Sequence, residues 1–270
     1  MIVWQRMTEH FETFSPSERK LANFMLEHTD EVPFLSTSEL AERTRLSTAS
    51  VTRFAQRLGY EGYPHLQKEI RTHLRETFAP KVTSQKGGLL NRFWQLEEQN
   101  LQALKQIPET ELEKAATALA KARRVWVVAG RATQFVAQLA WYDLLSYRSE
   151  VQFMLSEHIG VMEQLIEMSA EDVVLVYTIR RYTKATTRLT YACKEQGATV
   201  LLITDDGHPP VARIADQIIR VPMRSVDSLY PLSGLTSLTH ALVMLTAQRC
   251  GAKRFKKLEE LIQKADYYEY

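Results

Sequence analysis

The chain has 270 residues, 45% of them hydrophobic and 24% charged, which is apolar material enough for two soluble domains, one small and one with a sizeable core. Its formal net charge of +2 excludes a uniformly basic surface, so any affinity for a polyanion has to reside in a local face. Two cysteines, Cys193 and Cys250, and seven histidines without ligand spacing exclude a disulfide framework and a metal centre; a reducing cytoplasmic setting is expected, with no cofactor.

In chain order, residues 17–28 read as a first helix. The stretch 35–62, LSTSELAERTRLSTASVTRFAQRLGYEG, then reads as two short helices joined by a tight turn. Ser36 or Thr37 caps the first, which buries Leu40 and Ala41. Leu46 marks the turn, Ser47 caps the second helix and Gly59 ends it. Within that second helix Ala49, Val51, Phe54, Ala55 and Leu58 fall at helical spacings as an inner face, leaving Thr48, Ser50, Thr52, Arg53, Gln56 and Arg57 outward. Short hydroxyls at a helix start let backbone amides approach phosphates, and Arg53 and Gln56 can each make two hydrogen bonds to a base edge. No acidic residue occurs from Ser47 to Leu58. The alternative is an amphipathic pair in an ordinary bundle, whose polar face would mix glutamate with lysine.

Residues 1–78 carry ten Lys/Arg against eleven Asp/Glu, so the basic signal lies in distribution: Arg53, Arg57, Lys68, Arg71 and Arg75 follow the turn, while many acids precede it. The reading is an all-helical unit on double-stranded DNA, with Thr37, Ser47, Thr48, Ser50, Thr52, Arg53, Gln56 and Arg57 at the interface. One such helix reads only a few base pairs, so a homodimer or a dimer of dimers on an imperfect palindrome is expected.

The run Ser47-Thr48-Ala49-Ser50-Val51-Thr52-Arg53-Phe54, then Leu58-Gly59-Tyr60-Glu61-Gly62-Tyr63, nearly completes the pattern S-x-x-[ST]-V-x-R-F-x-x-x-L-G-[YF]-x-G-[YF]. With the helix at 17–28 and the following Leu66-Gln67, it makes roughly the first 75 residues resemble the winged-helix-like domain of the RpiR/MurR family of bacterial transcription regulators. That resemblance implies a helix-turn-helix domain over residues 1–77.

Residues 78–88 contain Pro, Gly, Ser and Lys without hydrophobic period and read as a linker to a second domain, 89–270. Helices are expected at 89–107 and 110–122, separated by Pro108, with Leu90, Phe93, Leu96, Leu101 and Leu104 on one apolar side. Five short apolar runs follow, at 125–129, 151–155, 172–177, 199–203 and 217–221, with helical segments between them and a last helix over 235–257. Continuous apolar runs mark strands covered on both faces, hence a three-layer α/β/α domain around a five-stranded parallel sheet. Ligands of such sheets lie off the carboxyl ends of the strands, here residues 130–133, 156–160, 178–183 and 204–210. The apolar stretch 125–147 is interrupted by Arg131 and Asp143, and Glu9 and Glu12 break the amino terminus; neither a membrane span nor a signal peptide is expected.

Residues 197–205, GATVLLITD, with Val211-Ala212-Arg213-Ile214-Ala215-Asp216 after them, make this half resemble the SIS (sugar isomerase) domain, which follows the DNA-binding domain in the same family and binds phosphosugars. Two loops depart from the family pattern. Where G-x-G-x-S is usual, the chain has Ala129-Gly130-Arg131-Ala132-Thr133. Where S-x-[ST]-G-x-[ST] surrounds the phosphate, it has Thr178-Ile179-Arg180-Arg181-Tyr182-Thr183. The resemblance therefore implies an effector site at Gly130, Arg131, Thr133, Thr178, Arg180, Arg181, Tyr182 and Thr183, with arginines and Lys184 replacing a backbone cradle around a small anionic metabolite. Bulk in the first loop favours an anion smaller or differently shaped than the common hexose phosphates. The alternative is that the cations pair with Glu157 or Asp205 and close the site, leaving a dimerisation scaffold. Tyr182 is expected to pack with a satisfied hydroxyl. Glu157, His158 and His208 lie at the right edge for isomerase chemistry, but no fixed spacing links them, and a regulator without catalytic residues is the reading adopted.

Overall fold

The computed structural model describes residues 3–28, 31–77, 88–207, 209–225 and 230–268. Its contacts divide the chain into two compact units, residues 1–84 and 85–270.

In the first unit lie α1 (Val3–His10), α2 (Pro16–Glu27), α3 (Thr37–Thr44), α4 (Thr48–Arg57) and α5 (Tyr63–Thr77). Ser15 and Ser36 cap α2 and α3 in full capping boxes with Glu18 and Glu39, and the Ser36 hydroxyl and amide hold the Glu39 carboxyl below its ordinary pKa. Arg45, at φ 51°, ends α3 in the left-handed region, and the Leu46 amide returns to the Ala41 carbonyl. The chain thereby reverses into α4, whose start is fixed by the Ser47 side chain accepting from the Ser50 amide. Gly59, at φ 90°, closes α4, where a side chain would be strained. Met7, Leu21, Met25, Leu40, Val51, Phe54, Tyr63, Leu66 and Ile70 fill the core, and the Tyr63 hydroxyl donates to the Val32 carbonyl at 3.0 Å.

The second unit opens with α6 (Leu89–Leu104) and α7 (Glu109–Lys121). Its sheet strands are β1 (Val125–Ala129), β2 (Val151–Leu155), β3 (Val173–Thr178), β4 (Thr199–Thr204) and β5 (Gln217–Arg220), all parallel, in the order β2-β1-β3-β4-β5. Helix α8 (Thr133–Leu145) crosses from β1 to β2 and α9 (Lys184–Glu195) from β3 to β4. After β5 come α10 (Ser233–Cys250) and α11 (Lys253–Lys264). Val125, Val127, Leu175, Tyr177, Leu201 and Ile203 point to the side of α7, α8 and α10, while Trp126, Val128, Val174, Val176, Val200 and Leu202 point to the side of α9. Both strand faces are thus covered.

At the amino edge of the sheet the fully buried Asp172 carboxylate accepts from Arg123 Nε and Nη2 at 2.9 and 2.8 Å, from Trp126 Nε1 at 2.9 Å and from the Ser169 amide at 3.2 Å. That cluster ties β1 to the start of β3.

Three expectations are corrected. The single last helix over 235–257 is two, because Gly251, at φ 76°, breaks it. The helix expected to run to Ile107 ends at Leu104, and its apolar residues do not share one side: Phe93, Leu96 and Leu104 are half-buried, whereas Leu90 and Leu101 are exposed, because the inner face is completed by the polar Glu97 and Asn100. Ala49, expected inside, is exposed. Of the expected linker, only Gly88 lies within the described residues; it precedes α6 at φ 104°.

Candidate functional site

Helix α4 is anchored from within by Val51, Phe54 and Ala55, which leaves a stripe of Ala49, Arg53 and Gln56 at i, i+4 and i+7 facing outward. Arg53 Nη2 donates to the Ser50 hydroxyl at 3.3 Å, and Ser50 shares a 2.9 Å hydrogen bond with Ser47, so the guanidinium is steadied by the cap of its own helix. Thr48 and Ser47 are exposed beside it; Thr52 is half-buried and donates to the Thr48 carbonyl. Gln56 Nε2 reaches the Glu61 carbonyl at 3.4 Å, a long contact that leaves its other groups outward. Thr37 is half-buried at the start of α3.

Arg57 is drawn elsewhere. Its Nη2 donates to the Thr13 carbonyl at 2.6 Å, Nη1 lies 3.4 Å from Glu18, and the guanidinium stands 5.7 Å over the Phe14 ring. Arg71 likewise donates to the Pro33 carbonyl at 2.6 Å. The basic face read from the sequence therefore narrows to Arg53 and Lys68 among its described members. The Arg75 side chain lies outside the described residues. Ala49, which periodicity placed inside, is a small residue in the middle of the outward stripe.

At the carboxyl edge of the sheet Thr178 pairs with Thr204, and Gly130 and Ser156, the first residues past β1 and β2, continue the same row by strand alternation on the face toward α9. Thr183 caps α9: its side chain accepts from the Thr186 amide, and its hydroxyl lies 2.9 Å from that of Thr186. Thr186 in turn lies 2.9 Å from the Ser156 hydroxyl. A continuous chain of hydroxyls thus runs under the amino terminus of a helix, where anions are favoured. Gly130 has no space for a side chain, since a Cβ would come within 2.5 Å of Ser156 Oγ, 2.7 Å of Glu157 Oε1 and 2.8 Å of Thr186 Oγ1. Thr178 is buried, and beside it Thr204 Oγ1 is buried with no hydrogen-bond partner among the described residues.

The expected arginines divide. Arg180 pairs with Asp205, Nε to Oδ2 at 3.3 Å, and its amide donates to the same oxygen at 3.2 Å. Asp205, itself buried, also accepts from the Tyr182 hydroxyl at 2.5 Å and the Gly207 amide at 3.2 Å. Burial and the facing carboxylate push the Tyr182 hydroxyl far above its ordinary pKa, keeping it a donor. Gly207 is buried against Arg180 and Tyr182. The alternative reading, in which a cation pairs with Asp205, therefore holds for Arg180, and Tyr182 packs with a satisfied hydroxyl. Thr133 is also committed: its buried hydroxyl lies 2.8 Å from the Gly130 carbonyl and 3.0 Å from that of Tyr177. Arg131, in the left-handed region at φ 53°, and Arg181 are exposed at the edge. Ser156 and Glu157 fall in the loop 156–160 singled out in the sequence, but neither they nor Thr186 are among the effector residues named there. The available signal was the position of the first two directly after a strand and of Thr186 in the first turn of a crossover helix. His158 is exposed, and His208 lies outside the described residues.

Residues 1–81 match the helix-turn-helix domain of the rpiR family, and residues 118–248 match the SIS domain. The chain belongs to the RpiR family of transcriptional regulators. It is 27% identical over 242 residues to an uncharacterized HTH-type transcriptional regulator of Caldanaerobacter subterraneus subsp. tengcongensis, covering 85% of this chain and 82% of the relative. With the HTH-type transcriptional regulator HexR of Pseudomonas aeruginosa it shares 22% identity across 90% of this chain and 85% of that one. In fold, this RpiR-family chain is similar to the Vibrio vulnificus NanR protein, solved in complex with ManNAc-6P, at a TM-score of 0.65, 18% identity and coverage of 97% and 98% of the two chains. Among the described residues no helix is long and apolar enough to cross a membrane.

Proposed function

We propose that this regulator binds operator DNA as a homo-oligomer through α4, and that a small anionic metabolite, a phosphosugar or a related anion, docks at the carboxyl edge of the SIS sheet. The observation that carries the ligand reading is the hydroxyl chain Ser156–Thr186–Thr183 beneath the start of α9, which Gly130 lets the backbone of the first loop approach closely. A solved fold neighbour is complexed with a phosphosugar, which supports the class. The anion is held by Gly130, Ser156, Thr178, Thr183 and Thr186, with Arg131, Arg181 and Lys184 supplying charge at the rim. Arg180, Tyr182 and Thr133 shape the edge from behind. The domain acts as a cytoplasmic sensor and not as an enzyme: the oxygens of Asp205, the buried carboxylate of this edge, already accept from Arg180, Tyr182 and Gly207, which leaves none of them turned to a substrate.

Calorimetry with N-acetylmannosamine 6-phosphate, arabinose 5-phosphate and the corresponding unphosphorylated sugars tests the ligand. A phosphorylated compound should bind and its neutral parent should not. Thr186→Val should weaken binding about tenfold, the equivalent of one hydrogen bond, and Gly130→Ala should abolish it by filling the cradle. Unchanged affinity in both variants would remove this edge as the site; no binding by any anion of a broad panel would leave the domain an oligomerisation scaffold.

On DNA, the contacts belong to Ala49, Arg53 and Gln56, with Thr37, Ser47, Thr48, Ser50 and Thr52 toward phosphates. Arg53→Ala should cost about 1–3 kcal/mol of sequence discrimination while leaving the fold intact. Arg57→Ala should loosen the unit and leave base preference unchanged. Gel shift on the gene's own upstream region against random DNA, across a salt series, reads both effects. Equal affinity of the wild type for the two DNAs would sink the assignment.

A further inference from the structure

The effector edge and α6 are joined by a short polar bridge that neither the sheet nor the crossover helices share. Burial pushes the Tyr230 hydroxyl above its ordinary pKa, the nearby Arg180 side chain and Arg181 draw it down and Asp205 raises it, so the tyrosine stands among the charged groups of the effector edge. Three residues later, Ser233 opens α10 and its hydroxyl donates to Glu97 Oε2 on the inner face of α6. The other oxygen, Oε1, is buried with no partner among the described residues. One turn along α6, Asn100, 2% exposed, grips the backbone of Arg224 from both sides: Nδ2 donates to its carbonyl and Oδ1 accepts from its amide, each at 2.8 Å. Arg224 Nη1 returns to Gln99 Oε1 at 3.3 Å. The inner face of α6 therefore carries Glu97 and Asn100 among its half-buried apolar residues, and both point at the segments that lead out of β5 and into α10.

This placement is costly unless it is used. An apolar inner face would dock α6 more simply, because a buried carboxylate must recover its hydration from a few hydrogen bonds. What the polar contacts add is direction: Glu97 and Asn100 hold α6 in one register relative to Ser233 and Arg224, and Ser233 is three residues from the tyrosine that rests on Arg180.

We propose that Tyr230, Ser233 and Glu97 form a relay by which the state of the effector edge is passed to α6, the first helix after residues 78–87 and so the element of the SIS unit nearest in sequence to the DNA-binding unit. The relay rests on the proposed effector site only for its biological input. The coupling itself is a property of the free protein. A ligand that moves Arg180 or Asp205 changes the hold on Tyr230, and α6 answers through Ser233, with Asn100 as the fixed point about which it shifts.

Hydrogen exchange read by mass spectrometry on the full chain, without any ligand, tests this in the wild type, Tyr230→Phe, Glu97→Gln and the double variant. Tyr230→Phe removes one hydroxyl and Glu97→Gln one charge, so all four proteins should fold. Each single variant should raise the exchange of the α6 amides several-fold while α8 keeps its wild-type protection, and the double variant should add nothing beyond the larger single effect. Wild-type exchange of α6 in Tyr230→Phe, independent summation of the two effects, or an equal rise in every peptide would overturn the relay. Because no effector is present, the relay and the effector site can fail separately: calorimetry without binding condemns the site, and unaltered α6 exchange condemns the relay.

Discussion

Phe54→Ala is expected to cost the amino-terminal unit about 3–5 kcal/mol, the range for emptying a fully buried aromatic site. The ring is 1% exposed and meets Phe14 edge to face with centroids 5.3 Å apart, and Phe14 in turn lies beneath the Arg57 guanidinium. Removing it leaves a void between α4 and the segment before α2, in a core too small to refill it. Since whole domains are stable by only about 5–15 kcal/mol, the loss is enough to unfold much of this unit at 37 °C. Circular dichroism during urea titration, with exchange measured on α2 to α4, gives the size and the place of the loss. Arg53→Ala is the control, since it removes the outward side chain of the adjacent residue in the same helix turn. A loss under about 1 kcal/mol for Phe54→Ala would mean that neighbouring side chains close over the site, contrary to the packing described.

Asp172→Ala should be nearly as damaging to the SIS unit. The carboxylate is fully buried and receives four donors, of which the Trp126 indole, 2% exposed, cannot turn to water and the half-buried Ser169 amide can do so only in part. A buried donor left unpaired costs about 1–3 kcal/mol and the half-buried amide adds less, so the loss is on the order of 2–4 kcal/mol. Arg123, more than a third exposed, is re-solvated and adds little. The fluorescence of Trp126 should change in the native state, and the urea midpoint of the sheet should fall. Binding of DNA at low temperature should persist, because α4 is in the other unit. An unchanged midpoint would show that water enters and serves the orphaned donors.

Much of the architecture was legible in the residues because it depends on local physics. The caps at Ser36 and Ser47, the stop at Gly59 and the inner positions Val51, Phe54 and Leu58 follow from hydrogen-bonding geometry and helical period within a dozen residues. The five apolar runs at 125–221 are strands within a residue of where they were read, since a strand covered on both faces leaves no other composition. Gly251 is the exception of the same kind: a lone glycine inside a helical pattern is a break or a tolerated residue, and only its φ of 76° distinguishes them.

What the sequence by itself determined is therefore the order of elements, the family and the outward helix with its hydroxyls and Arg53. What only the tertiary structure decided is how long polar side chains are spent. Arg57, Arg180 and Arg53 are alike on paper, but a guanidinium takes the nearest acceptor in space: the Thr13 carbonyl and Glu18 for the first, Asp205 for the second, the Ser50 hydroxyl of its own helix for the third. Ser156, Gly130, Thr178 and Thr204 each open one of the loops singled out in the sequence, but their alignment into one row is not legible along the chain for a related reason. Its members come from four strands joined by long crossovers, and register between parallel strands is set by the packing of the whole sheet, not by any turn near the residues concerned.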